Sequence, residues 1–581
     1  MVASGPEPLT GAALHVRWLG RVRYIDALAL QHGLFDSAPD HHLLLLEHPA
    51  VYTLGVRADP AHVLVEPASV GAELVRADRG GDVTFHGPGQ LVGYPILHLP
   101  GKGGGGMADS VAYVTSVEQL IIDALADLGL VADRLAGYPG VWVDVDGPDP
   151  RKICAIGVRV TRGRSLHGFA LNVDPDLEMF GHIVPCGIAD KAVTSLAAEG
   201  IHVTMRDVVD AVSARAVALW GAGGHDRHDV VWRHQASDLA PFSRGAGPGE
   251  AAGTVPADLP PAGPSPERGT SVRLRGRLAE AGVVQGLAIG ERKPEWMRAK
   301  ARIGPDYLRL KRTMRDLELV TVCEEAGCPN IYECWADGTA TFMLNGERCT
   351  RACGFCLVDT RHPEPPDPAE PEHVATAVEQ MGLDYVVLTT VARDDLADGG
   401  AGQFAATIAA IRHRSPGALV EALISDCKGD PEALAIVFDA RPNVLNHNIE
   451  TVARLQRAVR PSASYARSLA VLARAKASGL VTKSSLVVGM GETVEEVQAT
   501  LVDLRSVGVD IVTIGQYLRP TTNHLPVARW WTPAELDAAK AYGESLGITH
   551  IEASPLTRSS HHAKEAAAAA GATKPVSVSI G

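Results

Sequence analysis

The chain has 581 residues, 46% apolar and 21% charged, and its 54 basic against 68 acidic side chains leave a net charge of −14. This composition excludes a disordered chain, and a chain of this length buries a sizeable core without disulfide staples. The acidity is spread without a basic arm, no apolar run approaches the ~20 residues of a membrane span, and the opening MVASGPEPLT has no signal-like pattern, so neither nucleic acid nor membrane is expected and the expected location is the cytoplasm.

In chain order, residues 43–46 and 51–54 read as strands. Val111, Val114, Leu120, Ile121 and Leu125 then recur at helical spacing, with Gly129 as a stop. The β-rich runs 141–145, 153–160 and 166–173 follow, separated by Gly, Asp and Pro, which predicts an antiparallel meander in an α+β unit over 1–235. Residues 244–268 are mostly Gly, Pro and Ala without an aromatic, so 236–285 reads as a linker. About 50 such residues have an r.m.s. span of roughly 40 Å. Beyond it the runs 341–344, 385–389, 419–424, 444–446, 485–488 and 511–514 read as strands, separated by amphipathic stretches such as 404–412, 452–458 and 494–504. Repeated β-then-α units predict a parallel sheet, an α/β partial TIM barrel of about six units over 286–565. Arg393, Asp394, His447, Asn448, Glu492 and Gln516 each follow a strand; in such barrels these positions converge on the C-terminal face, although each alone reads equally well as a cap or turn former. The basic stretch 292–315 suits either docking of an acidic partner or a solvated helix face. The Ala-rich run 564–572 reads as a fraying helix leading into a low-complexity tail over 566–581.

Nine cysteines, an odd number with six crowded between Cys323 and Cys356, suit metal binding in a reducing compartment better than a disulfide framework. Cys349-x3-Cys353-x2-Cys356 follows the first barrel strand. Three thiolates on one tight loop can hold three corners of a 4Fe–4S cluster and leave the fourth iron open, whereas a zinc-stabilised binding protein would want four closed ligands. Spacing and placement resemble the radical S-adenosylmethionine (SAM) superfamily. A second trio, Cys323-x4-Cys328-x5-Cys334, lies just upstream. With KPEWM, CEEAGCPN, RDDLADGGA, NHNIE, GMGE and GQYLRP, the region from about 290 to 563 resembles lipoyl synthases.

That resemblance implies two 4Fe–4S clusters and SAM. Cys349, Cys353 and Cys356 would bind the cluster that SAM chelates, and Cys323, Cys328 and Cys334 an auxiliary cluster. The auxiliary cluster's last family ligand is the serine of an RSSY motif; here the motif is RSSH, which makes Ser560 the inherited ligand and puts His561 in place of tyrosine. Reductive cleavage of SAM would yield a 5′-deoxyadenosyl radical that removes hydrogen from a protein-bound octanoyl chain, with the auxiliary cluster donating two sulfurs. An electron donor such as ferredoxin or flavodoxin is implied. Gly399 and Gly400 would allow close backbone approach to SAM, and Cys427 matches no cluster spacing and reads as a small core residue.

In the first half, Cys154 lies within an apolar run and Cys186 in a Pro-Cys-Gly-Ile turn, where a thiol can be reached. Lys152 would stabilise a nearby thiolate and so create an acyl acceptor, although the residues alone favour a free cysteine and a solvated lysine. RGGDVTFHGPGQ from Arg79, RKICAIG, HGFALN and PCGI in order resemble lipoyl(octanoyl) transferases over roughly 15–220, and so imply an α+β biotin/lipoate ligase-like fold. In that resemblance Cys186 is the acyl-thioester nucleophile and Lys152 its partner. Arg79, Gly80, Gly81, Asp82, Val83, Thr84, Phe85 and His86, with Ala155, Ile156, Gly157, Gly168, Phe169 and Ala170, would line the acyl tunnel. The partners implied are octanoyl acyl carrier protein and lipoyl domains. The Gly-rich run 101–106 lacks the Gly-Lys-Ser/Thr ending of a phosphate cradle and reads as a flexible loop. The expectation is an enzyme that attaches octanoate and then inserts sulfur; the alternative is a lipoyl synthase with a non-catalytic docking module.

Overall fold

The computed structural model describes residues 11–102, 105, 107–184, 191–232, 277–283, 286–288, 290–297, 330 and 339–573. The chain divides into two compact units, Met1–Trp232 and Arg233–Gly581. Residues 244–268, Cys186 and the upstream cysteine trio lie outside the described residues.

The first unit is built on β1 (Leu14–Arg21), β2 (His41–Glu47), β3 (Val51–Leu54), β4 (Glu73–Arg76), β5 (Val83–His86), β6 (Gln90–Ile96), β7 (Asp133–Leu135), β8 (Tyr138–Val143), β9 (Arg151–Thr161), β10 (Arg164–Asn172), β11 (Ala192–Val193) and β12 (His225–Asp229). Its main sheet runs β12-β1-β2-β6-β10-β9-β8-β7, with β11 beside β9, and β4-β3-β5 form a small second sheet. The predicted meander is present, since β8 pairs with β9 and β9 with β10, both antiparallel. Strand β8 stops at Val143, short of the predicted limit, because Asp144 turns back with φ +59°. Strands β9 and β10 are joined through Arg162 and Gly163 at φ +51° and +71°, the double positive φ that a tight hairpin turn needs.

Helices α2 (Ser110–Asp127) and α3 (Met205–Trp220) cover one face of the sheet, burying Val117, Ile121, Leu125, Val208 and Val212 against Leu14, Val16, Leu43, Leu45 and Leu171. Asp109 caps α2 by accepting from the N–H groups of Val111 and Ala112, and Thr204 and Asp207 form a reciprocal cap on α3. Val111, counted as apolar face in the sequence, is in this first turn and 73% exposed. Helix α1 (Tyr24–Ser37) packs against β6 and β10 outside that core.

The second unit is a parallel seven-stranded sheet in chain order: β13 (Thr339–Leu344), β14 (Tyr385–Thr390), β15 (Leu419–Leu423), β16 (Val444–Asn446), β17 (Val481–Val488), β18 (Ile511–Gln516) and β19 (His550–Ser554). Between strands run α4 (Glu370–Met381), α5 (Ala401–Arg414), α6 (Pro431–Asp439), α7 (Tyr465–Ala477), α8 (Val494–Ser506) and α9 (Pro533–Ser545). This is the predicted partial barrel with one more strand than the six read from the sequence. The extra strand, HIEAS, is mostly polar and joins through its pairing with β18.

Outward residues of the early strands, such as Phe342, Val386 and Leu388, pack under Val374, Phe404, Ile408 and Leu434 of the helices. Inward, the first residues of five strands, Tyr385, Leu419, Val444, Val481 and Ile511, meet Ala563, Ala566, Ala567 and Ala572. Helix α10 (Ala563–Ala569) therefore closes the N-terminal mouth of the barrel. This corrects the reading of 564–572 as a fraying helix and tail: alanine is small enough to fit between converging strand starts, and Ala566 and Ala567 are fully buried. Above this plug Lys483 and Glu421, both fully buried, form an ion pair at 3.0 Å, and Glu421 also accepts from Tyr385 Oη (2.9 Å) and Asn446 Nδ2 (2.8 Å).

Candidate functional site

The loop after β13 carries Cys349, Cys353 and Cys356, all as free thiols. Its backbone is tied to the neighbouring loops. Cys349 N–H donates to Asp359 O, Thr350 N–H to Ala392 O, and Gly354 N–H to Val459 O, while Leu525 N–H donates to Gly354 O, at 2.8–2.9 Å. A Cβ on Gly354 would meet Leu525 at 2.8 Å, so this close approach requires glycine. Arg351, between two of the cysteines and 6% exposed, makes a two-pronged contact to Asp394 (2.8 Å each) and a third to Asp426 (2.6 Å), pinning the loop to the ends of β14 and β15.

Two backbone N–H groups, of Arg351 and Ala392, approach Cys349 Sγ at 3.4 and 3.3 Å. Burial and the charge of neighbouring cysteines push Cys353 up to about 11 and Cys356 up to about 12. Three half-buried thiols on one loop, whose anions repel one another, are a donor set that a multiply charged, thiophilic centre stabilises, so the residue types present fit an iron–sulfur cluster.

The other polar residues of this face divide. Asp394 and His447 are buried beside the cysteine loop's anchors, with His447 held down to about 4 by burial and by Arg460. Glu492 instead receives the N–H groups of Gly489 and Met490 and the indole N–H of Trp531 (2.5, 3.0 and 2.7 Å), and Gln516 holds Trp531 and Arg529. These two shape loops. Gly399 and Gly400 have φ +62° and +86° and pack against Cys427 and Asn345, so local packing alone requires them. Cys427 is a buried core residue, as expected.

Ser560 is half-buried in the turn between β19 and α10, inside the barrel unit rather than on an exposed tail. The turn runs against β18 because Gly515 has no side chain: a Cβ there would lie 1.9 Å from Thr557 O. Asn330, two residues after Cys328 in sequence, donates its amide to Leu556 O in this same turn at 2.7 Å. Arg351, Asn330 and Gly515 were not singled out from the sequence. Arg351 carried a signal in lying between two cysteines, and Asn330 in following one.

In the first unit the segments named from the sequence meet. Gly80 N–H donates to Val158 O (3.2 Å), and a Cβ on Gly157 would lie 3.2 Å from Gly80 O, so the Arg79–Gly80–Gly81 turn rests on β9. Arg79 is buried and donates to Thr53 O (2.6 Å), Thr53 Oγ1 and Gly80 O. Asp82 pairs with His62 at 2.5 Å. Gly168 lies opposite Gly157 and Ala170 opposite Ala155, so four small residues tile one face of β9–β10. Ile156 and Phe169 point the other way into the main core, and Val83 and Phe85 into a small core with Tyr52, Leu54, Met179 and Ile183.

His86 is buried, bonds Gln90 Oε1 through Nδ1 (2.7 Å), and is kept neutral by burial and by neighbouring His48. The Tyr24 ring stacks on it at 6.0 Å; the Tyr24 hydroxyl is buried and has no hydrogen-bond partner among the described residues. Lys152 Nζ lies 4.7 Å from the Trp142 ring centroid. Val193 on β11 pairs with Lys152, so residues 192–193 run beside that lysine. Cys154 is fully buried, its thiol pushed far up by burial. Tyr24 and His48 gave no sequence signal, because single aromatics in helices and loops are ordinary core residues.

Comparison with known proteins places these arrangements. The lipoyl protein ligase A/B catalytic domain matches residues 23–216, the N-terminal domain of lipoyl synthase of the radical SAM family 279–328, and the radical SAM superfamily 345–504. Lipoyl synthase of Rubrobacter xylanophilus is 56% identical over 275 residues, covering 47% of this chain and 86% of the relative. That of Mycobacterium leprae is 49% identical over 316 residues, covering 54% and 98%. The chain belongs to the lipoyl synthase family. Its second unit is a radical SAM sulfurtransferase region, with SAM and iron–sulfur chemistry following from the family, and its first unit carries a lipoyl protein ligase A/B catalytic domain. Among solved structures, the bipartite lipoate protein ligase of Thermoplasma acidophilum is 17% identical over 38% of this chain and 88% of its own, with TM-score 0.32. Methylornithine synthase is 13% identical over 44% and 79%, with TM-score 0.30. Among the described residues no helix is long and apolar enough to cross a membrane.

Proposed function

We propose that this lipoyl synthase carries out both steps of lipoyl-group assembly: its first unit moves octanoate from acyl carrier protein to a lipoyl-domain lysine, and its second inserts two sulfurs. The observation that supports the first step best is the small-residue face of Ala155, Gly157, Gly168 and Ala170, three residues along β9 from Lys152 and bordered by the Arg79–Gly81 turn. No side chain of the four extends beyond Cβ; Gly157 is met by the Arg79–Gly80 turn and Gly168 by Gly93 O, so the Ala155 and Ala170 methyls are the surface offered to an alkyl chain. In this reading Cys186 accepts the octanoyl thioester, the target lysine resolves it to an amide, and Lys152 takes the proton that amine loses. The Tyr24 hydroxyl supplies a free donor beside His86 for the acyl carbonyl.

For the second step, Cys349, Cys353 and Cys356 hold one cluster, and Cys323, Cys328, Cys334 and Ser560 a second, supported by the Asn330–Leu556 contact. When bound, the clusters and SAM supply the radical and the sulfur. The chain's part is to fix the thiols through Arg351 and its backbone ties and to exclude water at the barrel mouth.

Anaerobically reconstituted protein given octanoyl acyl carrier protein, apo lipoyl domain, SAM and reductant should yield lipoylated domain. Cys186→Ser should abolish octanoyl transfer while pre-octanoylated domain remains a substrate. Octanoyl transfer by Cys186→Ser at the wild-type rate would remove Cys186 as the nucleophile, and absence of transfer by the wild-type protein, with pre-octanoylated domain still converted, would leave the first unit as a docking module. Octanoylation from free octanoate and ATP, but not from the carrier thioester, would make it a ligase.

A further inference from the structure

We propose that Glu552, His561 and His562 form a binding site for one divalent transition-metal ion of the zinc, cobalt(II) or iron(II) class, separate from the cysteine-held clusters. One carboxylate oxygen and one nitrogen from each imidazole all lie within 4.8 Å of one another. The ligands come from two elements: Glu552 from β19, opposite Thr513 on β18, and the histidines from the turn that leads into α10.

Successive residues ordinarily direct their side chains apart. Here His562 adopts φ +49°, a conformation uncommon for a non-glycine residue, and the two imidazoles stack with centroids 3.9 Å apart. Both rings therefore present themselves to the same carboxylate, and His562 Nδ1 already stands 3.4 Å from Glu552 Oε1.

Two imidazoles and a carboxylate are the donor set that borderline divalent ions prefer over magnesium or calcium, which favour oxygen alone. Three protein ligands leave coordination positions for water. His561 is buried and Glu552 and His562 half-buried, which lets an ion enter from one side. A bound ion would clamp the turn holding Arg558–His562 to β19, coupling metal occupancy to the order of the C-terminal segment. The site does not depend on Ser560 being a cluster ligand.

The test uses the full chain with its clusters assembled anaerobically and excess metal removed. Zinc alone is then titrated by calorimetry, with zinc, iron and sulfide counted by elemental analysis. One additional saturable equivalent of zinc is expected. Glu552→Gln and His562→Asn, the latter chosen because asparagine tolerates positive φ, should each weaken it at least about tenfold without changing iron or sulfide content. His561→Tyr keeps an aromatic ring at the position and exchanges the imidazole for a phenol, which must lose a proton of pKa about 10 before it can bind metal, so it should weaken zinc binding at neutral pH without loss of thermal stability. Absence of a saturable equivalent, or wild-type zinc affinity in His561→Tyr and in Glu552→Gln/His562→Asn, overturns the site.

Discussion

Arg351 shows how one side chain can hold a reactive loop. Its guanidinium meets two buried carboxylates, Asp394 and Asp426, the second held far below the carboxylate range despite complete burial. Arg351→Ala leaves both carboxylates without that cation, and breaking buried pairs of this kind costs about 3–5 kcal/mol. The expected outcome is a lower melting temperature and loss of the cluster absorbance of the Cys349, Cys353 and Cys356 site after reconstitution. Lysine, lacking the planar fork, should restore the stability only in part. Gly515 works through absence. A valine there collides with Thr557 O and displaces the turn bearing Ser560. On the proposal that Ser560 completes a second cluster, Gly515→Val should lower iron content to about half that of wild type, while SAM binding persists. Iron quantification with a SAM-binding assay checks this; retention of full iron would show that the turn does not serve a cluster.

At the level of elements, strands were the most legible part of the sequence, since β-branched and leucine runs locate β2, β3, β9, β10 and β13–β18 to within a few residues. What escaped were elements defined by their neighbours. Strand β19 is polar because its edge position and inward face ask for little apolar surface. Helix α10 hid behind low complexity, although Ala563, Ala566 and Ala567 have the spacing of one helical face. Strand pairing also creates charge clusters invisible in sequence. On β1, buried His15 faces Asp226 of β12 and Asp40, with Arg17 and His42 nearby; burial lowers its affinity for protons, but the two carboxylates outweigh that and raise it to about 9. A histidine raised in the folded state adds stability that is complete below about pH 6.5 and fades as pH rises toward 9. His15→Gln should thus destabilise the first unit more at pH 6 than at pH 10, as denaturant melts at both pH values would reveal.

The whole molecule consists of two units with separate cores. Separate cores predict two thermal transitions, and Glu421→Gln, which strips the buried Lys483 of its counter-charge, should shift only that of the second unit in calorimetry. The radical SAM region of the second unit and the ligase A/B-like domain of the first were readable from short motifs because such folds carry particular residue types at close spacing. The supports, Arg351, Asn330, Gly515 and Tyr24, were not, because their roles depend on partners tens to hundreds of residues away. The ties between the Cys349–Cys356 loop and its surroundings have one more consequence. They run through amides and carbonyls rather than through the thiols, so the backbone of the socket should be set before loading and persist after its emptying. Damage by air at this loop should then be repairable by refilling, with no refolding step in between.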